Sequence, residues 1–116
     1  MNIPIYRAKK IDSDEYVTGH YFNRKNMLGG IIYHKIDFST TCDKIAEIDI
    51  LTLAIHFPDM IDSNNKPIFA SLSEDGKGGD NATHKLGYGV TFKYINGMFI
   101  SLANKFNEFK IIGIQQ

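Results

Sequence analysis

The stretch that decides the fold spans residues 48–80 and reads IDILTLAIHFPDMIDSNNKPIFASLSEDGKGGD. It contains two short apolar runs, residues 51–57 and residues 68–72, separated by a segment rich in turn-forming Asp, Ser, Asn and Pro. The first run is too short for a stable helix and Pro58 ends it abruptly, so we predict a strand there. The second run fits either a short strand or a single helical turn.

The sequence on both sides of this stretch has the alternation of β-strands. Pro4 has no amide hydrogen, so residues 3–8 should be an edge strand or the start of a strand. Asn96-Gly97 separates two alternating runs and predicts a hairpin, because both positions of a type I′ turn need positive φ. The other predicted strands are residues 16–22, 31–38, 45–50, 89–95, 98–103 and 109–114.

Seven to nine short strands with turns between them predict an all-β, mainly antiparallel fold. The expected architecture is a small barrel or sandwich with at most one or two short helical turns. The chain has 116 residues, a common length for one domain, so residues 1–116 are predicted to form a single domain. Residues 73–84 are polar and Gly-rich and should form the longest loop.

Charge and cysteine content disfavour several classes of protein. Thirteen basic and thirteen acidic residues are interspersed along the chain, whereas nucleic-acid binders usually have a basic face and a high pI. Cys42 is the single cysteine, so the fold cannot depend on an internal disulfide. The sequence has no signal-peptide pattern, and its apolar runs are far shorter than a membrane-spanning helix needs. We therefore expect a cytoplasmic protein.

No residue pattern predicts a bound metal, a cofactor or a catalytic centre. The four histidines lack the spacing of a preformed ligand set, and Asp43 beside Cys42 disfavours a thiolate. The Asp- and Asn-rich turn at residues 59–65 lacks the Gly and Glu of a calcium loop. The segment 76–79 has Gly-Lys without the following hydroxyl of a P-loop, so we predict a flexible turn. No serine lies in a Gly-x-Ser-x-Gly elbow, and we predict a non-enzymatic protein.

Much of the chain resembles the YopX-like family of phage and prophage proteins. The residues that carry the resemblance are Ile48-Asp49, 52–60, Asp62-Ser63, 68–74 and 76–80, together with 5–9, Val17, Gly19, 21–22 and 109–114. The chain departs from the family at Ile50-Leu51, where the family commonly has Pro-Ser. The resemblance implies a small, mostly β protein of a mobile genetic element that self-associates and has no established catalytic residues.

The leading functional hypothesis is a phage or prophage accessory protein that binds a host or phage protein, with inhibition of a host defence system as its role. The contact residues predicted from the exposed loop are Glu74, Asp75, Lys77 and Asp80. Two alternatives stay open: a nucleic-acid-binding small β-barrel, and a module that binds a small molecule or nucleotide. Aromatic residues that would stack on bases in the first alternative are Tyr16, Tyr21, Phe22, Tyr33 and Phe38.

Overall fold

The structure is a computed structural model that describes residues 4–25, 32–37, 45–99 and 105–116. These residues form eleven strands and two single-turn 3-10 helices, Ile50–Thr52 and Phe106–Glu108. The strands are β1 Ile5–Lys9, β2 Tyr16–Lys25, β3 Ile32–Asp37, β4 Ile45–Glu47, β5 Ala54–His56, β6 Ala70–Ser71, β7 Asp80–His84, β8 Gly89–Thr91, β9 Tyr94–Ile95, β10 Met98–Phe99 and β11 Phe109–Ile114. The predicted all-β, mainly antiparallel fold is confirmed.

The strands form three antiparallel sheets. Six strands pair in the order β4-β3-β2-β1-β5-β6, three in the order β11-β7-β8, and β9 and β10 form a two-stranded ribbon. The sheets are arranged like a sandwich, and the described strands do not close a barrel. No helix among the described residues is long and apolar enough to cross a membrane.

The first strand lies inside the large sheet. β1 pairs with β2 on one side and with β5 on the other, and Arg7 faces Thr18 and Ala54 in the two ladders. The prediction of an edge strand is therefore wrong, whereas its alternative, the start of a strand, agrees with the structure. Pro4 immediately precedes the strand, where a missing amide donor costs no ladder hydrogen bond.

The predicted strand at residues 51–57 is shorter than expected. Residues Ile50–Thr52 turn as a 3-10 helix, and only Ala54–His56 form a strand. The turn has a local cause: Asp49 accepts a hydrogen bond from the Leu51 amide through its side chain at 3.0 Å and from the Thr52 amide through its carbonyl at 3.0 Å. Such local bonds to an Asp side chain compete with an extended backbone.

The predicted loop at residues 73–84 is wrong in its second half. Asp80–His84 form β7, the central strand of the three-stranded sheet, with Asp80, Ala82 and His84 buried on alternate positions. Because Asp80 and His84 are polar, the hydrophobicity pattern of the sequence does not indicate this strand. Because each polar group finds a partner inside the protein, its burial is tolerated.

The C-terminal hairpin is confirmed at its turn and shortened in its strands. Asn96 and Gly97 have φ of 54° and 80°, as a type I′ turn requires. The predicted strand 89–95 divides into β8 and β9, because the Phe92 amide donates to the Asp80 carbonyl and the Phe92 carbonyl accepts from the Ser71 amide. Residues 100–103 of the predicted returning strand lie outside the described residues.

Two hydrophobic clusters form the core. The larger cluster contains Ile55, Met60, Ile68, Ala70, Ala82, Phe92 and Phe109. The smaller cluster lies under β1, β2 and β3 and contains Ala8, Val17, Ile36, Ala46, Ile48 and Leu53. Tyr6 packs against both clusters and so connects them.

Candidate functional site

The predicted contact residues lie on the connection between β6 and β7. Glu74 and Asp75 are exposed and Lys77 is half-buried. Asp80 is only 1% exposed and belongs to β7, so the prediction that it lies on an exposed loop is wrong. The structure thus leaves Glu74, Asp75 and Lys77 on the loop of residues 73–79 and moves Asp80 into the interior.

The glycines of this loop are required by close packing. Gly78 has φ of +82°, and a Cβ atom there would lie 2.0 Å from the carbonyl oxygen of Thr52. A Cβ atom on Gly79 would lie 2.6 Å from the carbonyl oxygen of Phe92. The backbone of the loop therefore packs directly on neighbouring backbone, at a distance that only glycine permits. The predicted turn is buried at these positions.

Hydrogen bonds fasten the loop to the C-terminal end of the chain. The Gly78 amide donates to the Gln115 carbonyl, and the Gln115 amide donates to the Gly79 carbonyl, both at 2.8 Å. The Gly79 amide donates to the Gly76 carbonyl at 3.0 Å. Since these amides are already paired within the protein, they do not form a phosphate cradle.

Serine hydroxyls fasten the loop to β6 and to the first 3-10 helix. The Ser71 hydroxyl donates to the Lys77 carbonyl at 2.7 Å and accepts from the Ser73 amide at 3.0 Å. The Ser73 hydroxyl donates to the Leu51 carbonyl at 3.0 Å. The loop is therefore held by β6, by the first 3-10 helix and by the C-terminal end of the chain.

A buried ion pair lies beneath the loop. Arg7 on β1 donates to Asp80 Oδ1 at 2.8 Å and to the Gly78 carbonyl at 2.9 Å. The second carboxylate oxygen of Asp80 accepts from the Phe69 amide at 2.8 Å, and the Arg7 guanidinium carbon lies 4.6 Å from the centre of the Phe69 ring. The pair joins the six-stranded sheet to the three-stranded sheet.

Exposed apolar side chains lie beside the loop. Leu51 is 59% exposed, and Ile50 and Leu72 are each 37% exposed. Their backbones are joined, because the Leu72 amide donates to the Leu53 carbonyl at 3.1 Å and Ser73 binds the Leu51 carbonyl. We call Ile50, Leu51, Leu72, Glu74 and Asp75 the contact surface. It combines an apolar centre with two carboxylates that form no ion pair with any described residue.

Sequence reasoning missed the apolar half of the contact surface. The sequence predicts Leu51 within a strand, whereas the structure places it in the 3-10 helix that begins at Ile50 and leaves its side chain exposed. One signal was present in the sequence: Ile50 and Leu51 directly follow Asp49, a residue whose side chain can bond nearby backbone amides.

The turn at residues 62–67 is organised by one carboxylate. Asp62 Oδ1 accepts from the Asn64 and Lys66 amides at 2.8 Å, and Oδ2 accepts from the Ile111 amide at 3.0 Å. Burial alone would raise the pKa of Asp62, but these amides and the nearby Lys66 charge outweigh it and lower the pKa below its usual 3.8. Both oxygens of Asp62 accept hydrogen bonds from backbone amides, so the carboxylate serves to stabilise the turn.

The histidines are dispersed over the fold. His20 is exposed on β2, His34 lies 2.6 Å from the Tyr21 hydroxyl, His56 is buried on β5 and His84 is buried on β7. In the part of the chain that the structure describes, no three His, Cys, Asp or Glu residues lie close enough to hold a metal ion. Cys42 lies outside the described residues.

His84 is fully engaged in hydrogen bonds. The Leu86 amide donates to His84 Nδ1 at 3.1 Å, so Nδ1 carries a lone pair and the proton lies on Nε2. Nε2 faces Glu108 Oε1 at 3.2 Å, and Lys85 binds the other oxygen of Glu108 at 3.2 Å. The hydrogen bond from His84, followed by that from Lys85, lowers the pKa of Glu108 below its usual 4.5.

The chain matches no protein-family model, no curated protein and no solved structure. The resemblance to the YopX-like family therefore stays a prediction.

Proposed function

We propose that this chain is a non-enzymatic accessory protein of a phage or prophage that acts in the host cytoplasm by binding another protein. The proposal rests on the contact surface: exposed Leu51, Ile50 and Leu72 beside the carboxylates of Glu74 and Asp75. Interfaces of soluble proteins commonly have an apolar centre with a polar rim. Inhibition of a host defence system is the role that we propose for this binding.

The packing of the loop supports a binding role for the contact surface. Binding costs conformational entropy wherever side chains and loops must be ordered. The loop of residues 73–79 is already fixed by its buried glycines and by the Arg7–Asp80 pair beneath it. The contact surface is therefore ordered before a partner binds, and this lowers the conformational entropy cost of binding.

The chemistry of the contact surface defines a suitable partner. An apolar recess would receive Leu51, and lysine or arginine side chains around it would pair with Glu74 and Asp75. Complementary charges at the rim raise the rate of association and favour the correct partner. A standard interface buries about 800 Å² on each partner, so the partner would also cover residues around the contact surface.

Self-association is a second part of the proposal. The three-stranded sheet ends at β8, which pairs only with β7 among the described strands, and a strand at a sheet end can offer unpaired backbone groups to another chain. Pairing of such strands across a two-fold axis is a common solution. Light scattering tests it directly: a mass of 13.1 kDa in dilute solution would contradict self-association.

Quantitative affinity capture from host lysate tests the contact surface. We expect Leu51→Ser to reduce capture of a specific protein by about tenfold or more, as loss of an apolar anchor does at interfaces. Leu86→Ser is the matched control, because Leu86 is 77% exposed and lies on the β7–β8 turn. Equal capture by wild type and Leu51→Ser would overturn the assignment of this surface.

A further inference from the structure

A second polar site lies at the end of the three-stranded sheet opposite to the loop of residues 73–79. It is a groove of about 650 Å³ lined by Ser63, Lys85, Lys105, Asn107, Glu108 and Lys110. We call it the lysine groove. Its residues come from the 62–67 turn, the end of β7, the second 3-10 helix and β11, so four separate elements converge on it.

The walls of the groove are held by backbone hydrogen bonds. The Lys85 amide donates to the Glu108 carbonyl at 3.0 Å, and the Ser63 amide donates to the Phe109 carbonyl at 2.8 Å. The Asp62 carboxylate binds the Ile111 amide and so ties the turn to β11 behind Ser63. The positions of the lining residues thus depend on the fold.

The groove carries positive charge. Glu108 is the only acidic residue among the described residues that line it, and Lys85 and His84 already bind both of its oxygens. Lys105 and Lys110 form no ion pair with any described residue, and the sequence of residues 100–104 contains no acidic residue. Two lysines without an ion pair among the described residues therefore line the same groove.

The donors in the groove suit a phosphate ligand. Lysine is a common phosphate-binding residue and acts as a point charge. The Ser63 hydroxyl and the Asn107 amide add hydrogen-bond donors to the lining. The volume lies in the range of small-molecule sites, about 300–1,000 Å³.

We propose that the lysine groove binds a small molecule that carries two or more phosphate groups, such as a nucleoside diphosphate or triphosphate. Nucleic acid is disfavoured, because the basic groups converge on one groove and the chain as a whole has a formal charge of +0. The inference is independent of the contact surface, which lies on different residues and has the opposite charge.

Isothermal titration calorimetry with ATP and with inorganic tripolyphosphate tests the proposal. We expect saturable binding of one molecule per chain that weakens as salt is added, because the attraction is between charges. The double variant Lys105→Gln, Lys110→Gln should weaken binding by about tenfold or more, since two charge-assisted contacts are lost. The matched control Lys35→Gln, Lys93→Gln removes the same charge outside the groove and should bind as wild type does.

Three results would overturn the proposal. The first is no binding of either probe at low ionic strength. The second is an equal loss of binding in the groove variant and in the control, which would mean that only net charge matters. The third is tighter binding of a single-stranded oligonucleotide than of ATP, lost in the groove variant, which would assign the groove to nucleic acid. None of these results bears on capture of a protein by the contact surface.

Discussion

Two polar turns of this protein, residues 62–67 and residues 73–79, look alike in sequence but are stabilised in different ways. The first is closed by the side chain of Asp62, which binds amides two and four residues further along the chain. The second is held by contacts across the fold, from Arg7, Thr52 and Gln115. One carboxylate therefore organises the first turn and also ties it to Ile111, whereas several separate contacts from across the fold hold the second.

The largest expected effect is that of Gly78→Ala. The new methyl group would overlap the Thr52 carbonyl in a backbone conformation, φ +82°, that favours glycine. We expect a loss of about 3 kcal/mol or more in the free energy of unfolding, from strain and overpacking together. Chemical denaturation measures it. Gly97→Ala is the matched control, because Gly97 has φ +80° with no atom within 4 Å; equal losses would show that close packing is unimportant.

The next effect is that of Asp80→Asn, which removes the charge that Arg7 faces. Breaking a buried ion pair costs about 3–5 kcal/mol, because the remaining charge stays desolvated. We expect the melting temperature to fall and the loop of residues 73–79 to loosen. Lys10→Gln is the control, since its pair with Glu15 is exposed and worth about 0–1 kcal/mol. Similar losses in the two variants would contradict a structural role for Asp80.

A smaller effect is expected for Asp62→Ala. Three backbone amides would lose a charged acceptor, and bonds to charged groups contribute about 1.5–3 kcal/mol each before water replaces part of them. We expect a net loss of about 2–3 kcal/mol. Asp62→Asn keeps one acceptor oxygen and should lose less. If Asp62→Asn were as unstable as Asp62→Ala, the stabilising role of the Asp62 oxygens as hydrogen-bond acceptors would be contradicted.

The pH dependence of stability follows from the same carboxylate. The pKa of Asp62 is lower in the folded protein than its usual 3.8, so its contribution is fully present above pH 3.8. That contribution is lost as the pH falls from 3.8 through the folded-state pKa. Denaturation of wild type and Asp62→Asn over this range should show the two curves converging as the pH falls. If the stability curves of the two proteins stayed parallel over this pH range, the lowered pKa of Asp62 in the folded protein would be contradicted.

The smallest expected effect is that of Glu74→Gln on the exposed side of the loop. Glu74 has no ion pair among the described residues, and surface substitutions usually change stability by about 0.5 kcal/mol or less. Stability should stay unchanged while capture of a basic partner falls. A loss of stability comparable to that of Asp80→Asn would place Glu74 in the structural part of the loop.

The sequence predicted those features that are encoded locally. The Asn96-Gly97 hairpin turn and the closing strand at residues 109–114 follow from turn chemistry and alternation, and both agree with the structure. The sequence also indicated that Glu74 and Asp75 are exposed. It did not reveal β7, because Asp80 and His84 are buried through partners far away in the chain. The exposure of Leu51 depends on the 3-10 helix Ile50–Thr52, which the apolar run at residues 51–57 does not predict.

The central claim is that the loop of residues 73–79 belongs to the folded core and presents a fixed contact surface. Amide hydrogen exchange at Gly78 tests it most directly, because that amide is buried and donates to Gln115. We predict slow exchange in the wild type, as slow as in strands β1 and β7, and markedly faster exchange in Asp80→Asn. Exchange of the wild-type Gly78 amide at the rate of an unstructured peptide would contradict the claim.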